Sequence, residues 1–150
     1  MQVFGKKKAN LEDIPDEELT AVLNIDLAGL IHFTKELLPH LKSVEESAII
    51  NISSRSGITA QAGQSVYSAA KWGIKGFTEV LKEDLKTTKV HVSGVYQGGI
   101  NTNMFNKVGE GFSEEKLATF TKASDLGELI AHMVALPAQI WISEIHVENR

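Results

Sequence analysis

The sequence contains 150 residues, a length typical of one domain, and we expect residues 1–150 to form a single domain. Apolar residues make up 43% of the chain and charged residues 23%, a balance that supports a buried core and excludes general disorder. The formal net charge is −4, so the basic excess typical of nucleic-acid-binding domains is absent. We therefore predict no nucleic-acid partner.

The sequence contains no cysteine, which excludes disulfides, thiolate metal ligands and a cysteine nucleophile. The longest apolar candidate, residues 130–142, is shorter than the roughly 20 residues of a membrane-spanning helix and is interrupted by polar residues and a proline. Residues 1–8 lack the apolar centre of a signal peptide. Without a membrane-spanning segment or a signal peptide, we predict no membrane contact and a cytoplasmic protein. The five histidines show no metal-binding spacing, so we also predict no metal site.

The first long helix is predicted from Pro15 to Lys42, because three acidic residues follow Pro15 and apolar residues then recur at steps of three and four. The other predicted elements are a strand over 47–53, a helix over 66–85, a strand over 90–96, a short helix over 113–120, a helix over 125–136 and a strand over 142–147. Residues 55–64 and 100–111 are predicted to be irregular. This alternation favours an α/β fold with a parallel sheet covered by helices on both faces.

The strongest chemical signal is the segment Tyr67-Ser68-Ala69-Ala70-Lys71. Helical residues four apart share a face, so the Lys71 ammonium can lie close to the Tyr67 phenol. A neighbouring cation favours the phenolate and lowers the tyrosine pKa, which suits proton exchange with a hydroxyl or a carbonyl at neutral pH. Taken alone, such a pair is more often incidental on a solvated helix face.

Two further polar residues lie where they could join this pair. Ser54 follows the first predicted strand, and ligands of open parallel sheets bind beyond the carboxyl ends of the strands. Its hydroxyl could donate to a substrate oxygen, or it could form only a local turn bond. Asn24 lies within the first predicted helix, where asparagine is a middling helix former, and its alternative interpretation is an exposed amide.

Together these segments resemble the short-chain dehydrogenase/reductase family over nearly the entire chain, from about Val3 to the C-terminus. The similar stretches are Leu23-Asn24-Ile25-Asp26-Leu27, Asn51-Ile52-Ser53-Ser54-Arg55-Ser56-Gly57, Tyr67 to Lys71, Gln97-Gly98-Gly99-Ile100-Asn101-Thr102 and Ile142-Ser143-Glu144-Ile145. The resemblance implies a truncated Rossmann-like fold with about three parallel strands flanked by helices.

The resemblance also implies a function and a role for each residue. The protein would be an NAD(P)-dependent oxidoreductase that transfers a hydride between nicotinamide and a small alcohol or carbonyl substrate. Tyr67 would be the general acid or base, and Ser54 would hydrogen-bond to the substrate oxygen. Lys71 would lower the pKa of Tyr67 and hold the nicotinamide ribose, so that Tyr67 and Lys71 both contact the cofactor. Asn24 would position a water molecule in a proton relay.

The cofactor side departs from the family pattern. Gly98, Ile100 and Thr102 would line the nicotinamide, but Gln97 stands where the family has proline, which we expect to loosen the turn. The glycine-rich pyrophosphate motif of the family is not found in the sequence, nor is the residue that selects NAD or NADP. We therefore expect the N-terminal dinucleotide-binding half to be missing and the binding of NAD or NADP to be weak or absent.

Two functions from different classes remain open. The chain is an oxidoreductase of this family, or it is a truncated, non-catalytic remnant that acts by self-association or by pairing with a full-length relative. Residues 47–53 carry no charge and no proline, so this strand would recruit another strand if left at an edge, and we expect a homo-oligomer. The loop over 103–120 is expected to cover the substrate through Met104, Phe105 and Phe112, or to pack as an ordinary loop.

Overall fold

The computed structural model describes residues 9–104, 112–137 and 139–150. In chain order the helices are α1 (Asp16–Val22), α2 (Gly29–Ser43), α3 (Ser65–Leu85), α4 (Glu114–Ala118) and α5 (Ala123–Val134). The strands are β1 (Ser47–Ser54), β2 (Val90–Gln97), β3 (Ile100–Asn101), β4 (Thr121–Lys122) and β5 (Glu144–Val147). Phe105 and the lysines at 6–8 lie outside the described residues.

The main sheet has three strands in the order β1-β2-β5, and both pairings are parallel. Because side chains alternate along a strand, Val92 and Val95 of β2 point to opposite faces. Val92 packs with Leu81 and Leu85 of α3, whereas Val95 packs with Leu126 and Met133 of α5. Helices therefore cover both faces of a parallel sheet, which confirms the predicted α/β fold of three parallel strands flanked by helices.

The predicted helix from Pro15 to Lys42 is interrupted. A π-helical segment, Leu23–Ala28, lies between α1 and α2, and the Gly29 N–H donates to the carbonyl of Asn24, five residues earlier. The extra residue in this turn shifts which side chains face α3, and a Cβ at Gly73 of α3 would lie only 2.6 Å from the Leu27 side chain. Apolar steps of three and four do not reveal such a widened turn.

The region predicted to be irregular begins with a strand instead. Ile100–Asn101 pairs in parallel with Thr121–Lys122, which forms a second, two-stranded sheet. Such a short pairing joins residues about twenty positions apart in the chain, so no local sequence pattern predicts it. Within the described residues, no helix combines the length and the apolar character that crossing a membrane requires.

Candidate active site

The carboxyl ends of two neighbouring strands lie side by side. In the parallel register of β1 and β2, Ser54 pairs with Gln97, the last residue of each strand. Ser54 and the segment that follows β2, residues 98–102, therefore lie next to each other at one edge of the sheet. This is the edge at which open parallel sheets bind their ligands.

Two hydrogen bonds hold α3 against β1, and a close backbone approach holds it against the turn that follows β1. The buried Asn51 amide donates to the Thr78 hydroxyl at 2.9 Å, and the Ser53 hydroxyl donates to the Lys71 carbonyl at 3.2 Å. A Cβ at Gly57 would lie 2.6 Å from that same carbonyl oxygen, so only glycine permits this approach. The turn of α3 that carries Lys71 is thereby fixed beside the end of β1.

Ser54 makes the local turn bond and also a hydrogen bond with Tyr67. Its Oγ accepts a hydrogen bond from the Ser56 N–H at 3.1 Å, which is the local turn bond. Because that bond uses a lone pair, the Ser54 O–H remains available, and a side-chain hydrogen bond links Ser54 with Tyr67. The structure thus brings Ser54 and Tyr67 together, from β1 and α3.

The environment of Tyr67 raises its pKa above the usual value. Burial of the phenol is the largest cause, the nearby Asp26 carboxylate adds to it, and the Ser54 hydrogen bond partly offsets both. The Lys71 ammonium lies over the ring, 5.3 Å from its centroid, and pairs with Asp26 Oδ2 at 3.3 Å. The net direction is therefore upward, with burial as its main cause, whereas the Tyr67–Lys71 spacing predicted a lowering.

Asp26 is a site residue that the sequence reasoning missed. Only 9% of its side chain is exposed, and 13% of that of Lys71. Asp26 Oδ2 is buried and has no hydrogen bond of normal geometry within the described residues, so the ammonium is its compensating charge. The available signal was an acidic residue between apolar neighbours, Ile25 and Leu27, in the middle of a helical segment.

Asn24 lies in the same π-helical segment but is not brought to the pair. Its side chain is exposed and makes no hydrogen bond with another described residue, and its carbonyl accepts from Gly29. It lines a shallow, open depression on its own helix together with Asp16, Glu17, Thr20 and Ala21. The Asn24 side chain is therefore an exposed amide, as the alternative interpretation of this residue predicted.

A side-chain amide holds the segment after β2. The Gly98 N–H donates to the Val147 carbonyl at 2.8 Å. Asn149 accepts from the Gly99 N–H at 2.6 Å and donates to the Gly99 carbonyl at 2.9 Å, as a neighbouring strand would. A Cβ at Gly98 would lie 2.6 Å from Asn149 Oδ1. The turn that lacks the family's proline at Gln97 is therefore held from outside by Asn149.

The remaining residues predicted around the substrate and cofactor lie near this segment. Ile100 packs into the apolar cluster around Val95. Thr102 is exposed, and its hydroxyl accepts from the Met104 N–H at 3.3 Å. The ring of Phe112 meets that of Phe120 edge-on, with their centroids 5.4 Å apart.

We expect Asn149→Ala to loosen the segment after β2 while leaving the main sheet intact. The substitution leaves the Gly99 N–H without its partner, which costs about 1–3 kcal/mol in the free energy of unfolding, while the Gly99 carbonyl keeps the bond from the Thr121 N–H. Hydrogen exchange at the Gly99 amide should become faster. Asn101→Ala is the matched control, since the Asn101 amide makes a single exposed bond, 3.3 Å from the Leu117 carbonyl. Equal effects of the two substitutions would contradict the role of Asn149.

Comparison with known proteins identifies the family. The sequence model described as short chain dehydrogenase matches residues 4–112. The chain belongs to the short-chain dehydrogenase family. Trans-4-hydroxycyclohexanecarboxylate dehydrogenase of Sinomonas cyclohexanicum is 30% identical over 128 residues, which cover 85% of this chain and 49% of that protein. D-beta-hydroxybutyrate dehydrogenase of Cupriavidus necator is 36% identical over 99 residues, which cover 66% of this chain and 38% of that protein.

Solved structures share the fold of this short-chain dehydrogenase chain. A closed form of serine dehydrogenase complexed with NADP+ superimposes with a TM-score of 0.85 at 24% identity, and the match covers 96% of this chain and 60% of that one. Serine dehydrogenase from Escherichia coli gives a TM-score of 0.78, also at 24% identity, over 93% of this chain and 57% of that one. The chain spans about half the length, or less, of the two curated relatives named above.

Proposed function

We propose that this chain is the catalytic portion of an NAD(P)-dependent oxidoreductase that interconverts an alcohol and a carbonyl compound. The observation that carries the proposal is the meeting of Ser54, Tyr67 and Lys71, which come from β1 and α3 to one edge of a parallel sheet. The family membership of the chain supports it. A small-molecule substrate follows from the proposal, and the lack of cysteine is consistent with a cytoplasmic location.

The described residues suit proton transfer to a substrate oxygen. The Tyr67 phenol is the proton donor or acceptor, and the Ser54 hydroxyl binds the same oxygen and stabilises its developing charge. When bound, the nicotinamide supplies or accepts the hydride. Asn24 remains the proposed holder of a relay water, through its exposed amide.

The cofactor would be held from two sides. Tyr67 and Lys71 would contact it from α3, and residues on the segment after β2 would line the nicotinamide. That segment starts beside Ser54, and its two glycines permit the close approach of the Asn149 and Phe120 side chains that hold it. The lining residues in this proposal are Gly98, Ile100 and Thr102.

We expect the 150-residue chain to bind dinucleotide weakly. The nicotinamide side alone contributes few contacts, and the sequence contains no glycine-rich pyrophosphate motif. Fluorescence titration with NADH and with NADPH should show no saturation at micromolar concentrations. Tight, saturable binding would instead show that the chain builds a phosphate site of another kind.

A turnover assay tests the proposed function. The substrates are chosen from the names of the relatives: D-3-hydroxybutyrate and trans-4-hydroxycyclohexanecarboxylate, each with NAD and NADP at high concentration. Nicotinamide absorbance reports hydride transfer, and Tyr67→Phe is the inactive reference. Turnover that requires Tyr67 supports the proposal, and its absence with every pair favours a non-catalytic chain.

The second candidate function, a self-associating or partner-binding chain without catalysis, rests on a specific observation. Within the described residues β1 is an edge strand, and Ile52 in it is 44% exposed. Large apolar side chains are also exposed on the helices beside it, among them Phe33 at 67% and Val80 at 61%. Such surfaces favour association with a second copy or with a longer relative.

A further inference from the structure

The side-chain amide of Asn149 joins the main sheet to the second, two-stranded sheet. It accepts from the Gly99 N–H at 2.6 Å and donates to the Gly99 carbonyl at 2.9 Å. Its nitrogen also donates to Thr121 Oγ1 at 3.1 Å, so the amide oxygen and both amide hydrogens are engaged. Asn149 follows β5 of the main sheet, and Thr121 begins β4 of the second sheet. One side chain therefore connects the two sheets at Gly99.

We propose that Asn149 is a positioning residue for the nicotinamide, which acts through the segment after β2. This inference rests on the proposed function and deepens it, because it names the side chain that sets the affinity of the nicotinamide side of the site. Asn149 acts through the backbone of Gly99 rather than by contact with the cofactor. That backbone continues directly into Ile100 and Thr102, two of the residues proposed to line the nicotinamide.

The backbone of this segment needs an external support. Gln97 stands where the family has proline, whose ring would fix one backbone angle, and two glycines follow it. Glycine loses more conformational freedom on ordering than any other residue. The Gly98 N–H still bonds to a backbone carbonyl of the neighbouring strand, that of Val147 at 2.8 Å. At Gly99 the partner is the Asn149 side chain, so the order of the segment from this point depends on one amide.

Packing fixes the relative positions of these groups. A Cβ at Gly98 would lie 2.6 Å from Asn149 Oδ1, and a Cβ at Gly99 would lie 2.8 Å from the Phe120 ring. The Gly99 carbonyl also accepts from the Thr121 N–H at 3.1 Å. The backbone at Gly99 is thus in contact with the residue after β5 on one side and with the start of β4 on the other. A movement of Asn149 would displace both.

The consequence for cofactor binding follows from population arithmetic. The measured affinity of a ligand falls in proportion to the fraction of molecules in the binding conformation. Without the amide, the segment after β2 spends less time in the conformation that the structure shows, so Asn149→Ala should raise the Kd for NADH by about three- to tenfold. The coupling is reciprocal, so bound NADH should slow hydrogen exchange at the Gly99 amide.

An NMR titration tests the inference without requiring turnover. Amide shifts of residues 98–102 are followed as NADH is added to millimolar concentrations, in the unmodified chain and in Asn149→Ala. Asn149→Asp keeps an acceptor for the Gly99 N–H and loses both donors, so its Kd should lie between the other two. The Gly94 amide, which donates to the Ser143 carbonyl at 3.1 Å, is the internal reference for an intact main sheet. Its exchange rate should be the same in all three proteins.

Two further variants separate the arms of the amide. Thr121→Val removes the acceptor on β4 and keeps the backbone bond to Gly99, so it should raise the Kd by less than Asn149→Ala does. Asn101→Ala removes one exposed bond of the same segment and should leave the Kd unchanged. Equal Kd values for NADH in the unmodified chain and in a folded Asn149→Ala variant would overturn the inference.

Kinetics distinguish this inference from the proposed function. In the turnover assay Asn149→Ala should raise the KM for the dinucleotide by about the same factor as the Kd and change kcat little, whereas a general loss of structure would lower kcat. Weaker binding in Asn149→Ala without turnover in any of the proteins would contradict the proposed function and support the role of Asn149. Turnover that requires Tyr67, with an unchanged KM in Asn149→Ala, would overturn the role of Asn149 alone. Amides of residues 98–102 that do not respond to NADH in the unmodified chain would overturn both.

Discussion

Replacing Tyr67 with phenylalanine is expected to lower turnover by about 10²–10⁴-fold, the usual contribution of a general acid or base. The substitution removes the exchangeable proton and keeps the ring, so packing on α3 is preserved. The lost hydrogen bond with Ser54 should cost only about 1 kcal/mol in the free energy of unfolding. Steady-state rates in this chain, or in a longer protein containing it, and thermal unfolding measure the two effects separately.

The other tyrosine offers a matched control. The Tyr96 ring is buried under the Lys75 ammonium, and its hydroxyl has no hydrogen-bond partner within the described residues. Burial, aided by Glu144 and Glu79, raises the pKa of Tyr96 to about 12, so it stays protonated across the assay range. Tyr96→Phe should leave turnover unchanged. Comparable rates in Tyr67→Phe and Tyr96→Phe would remove Tyr67 from the chemistry.

Lys71→Met should also lower activity, but part of its effect is structural. Removing the ammonium leaves the buried Asp26 carboxylate without its partner, which costs about 3–5 kcal/mol for a buried pair. The double variant Asp26→Asn/Lys71→Met should recover most of that stability and none of the cofactor contacts proposed for Lys71. Stability and turnover together therefore separate the two roles of this side chain.

The exposed edge of the sheet at β1 is expected to determine the oligomeric state of the protein in solution. We expect a dimer or a larger species, because the outer edge of the uncharged strand β1 is unpaired within the described residues and lies beside exposed apolar helix surfaces. Light scattering over a concentration series should give a mass above 16.4 kDa that increases with concentration.

Two charge substitutions separate the edge from the helix surface. Ile52→Lys places a charge on the edge strand and should shift the protein toward monomer. Val80→Lys removes an exposed apolar side chain from α3, 61% exposed, without changing the strand, and should have the smaller effect. A concentration-independent mass of 16.4 kDa for the unmodified chain would show that the edge is already covered.

The local sequence was sufficient to determine the order of the main elements and most of the candidate site. Apolar periodicity predicted α3, and runs of β-branched residues predicted β1, β2 and β5, because these elements bury side chains in patterns that repeat within a few residues. The Tyr67–Lys71 spacing predicted a shared helix face, and the ammonium does lie over the ring. Such features depend on residues that are close together in the chain, so they can be predicted from the sequence alone.

Tertiary structure decided what charge surrounds Tyr67 and what holds the segment after β2. Asp26 reaches Lys71 only because a π-helical turn changes the phase of a helix that the apolar pattern predicts to be continuous. Asn149 contacts Gly99 across fifty residues of chain, through a bond that no local motif encodes. Burial and long-range charge set the Tyr67 pKa, and both depend on which distant residues the fold brings together. The sequence could therefore predict that Tyr67 and Lys71 lie together, but not the burial that raises the Tyr67 pKa.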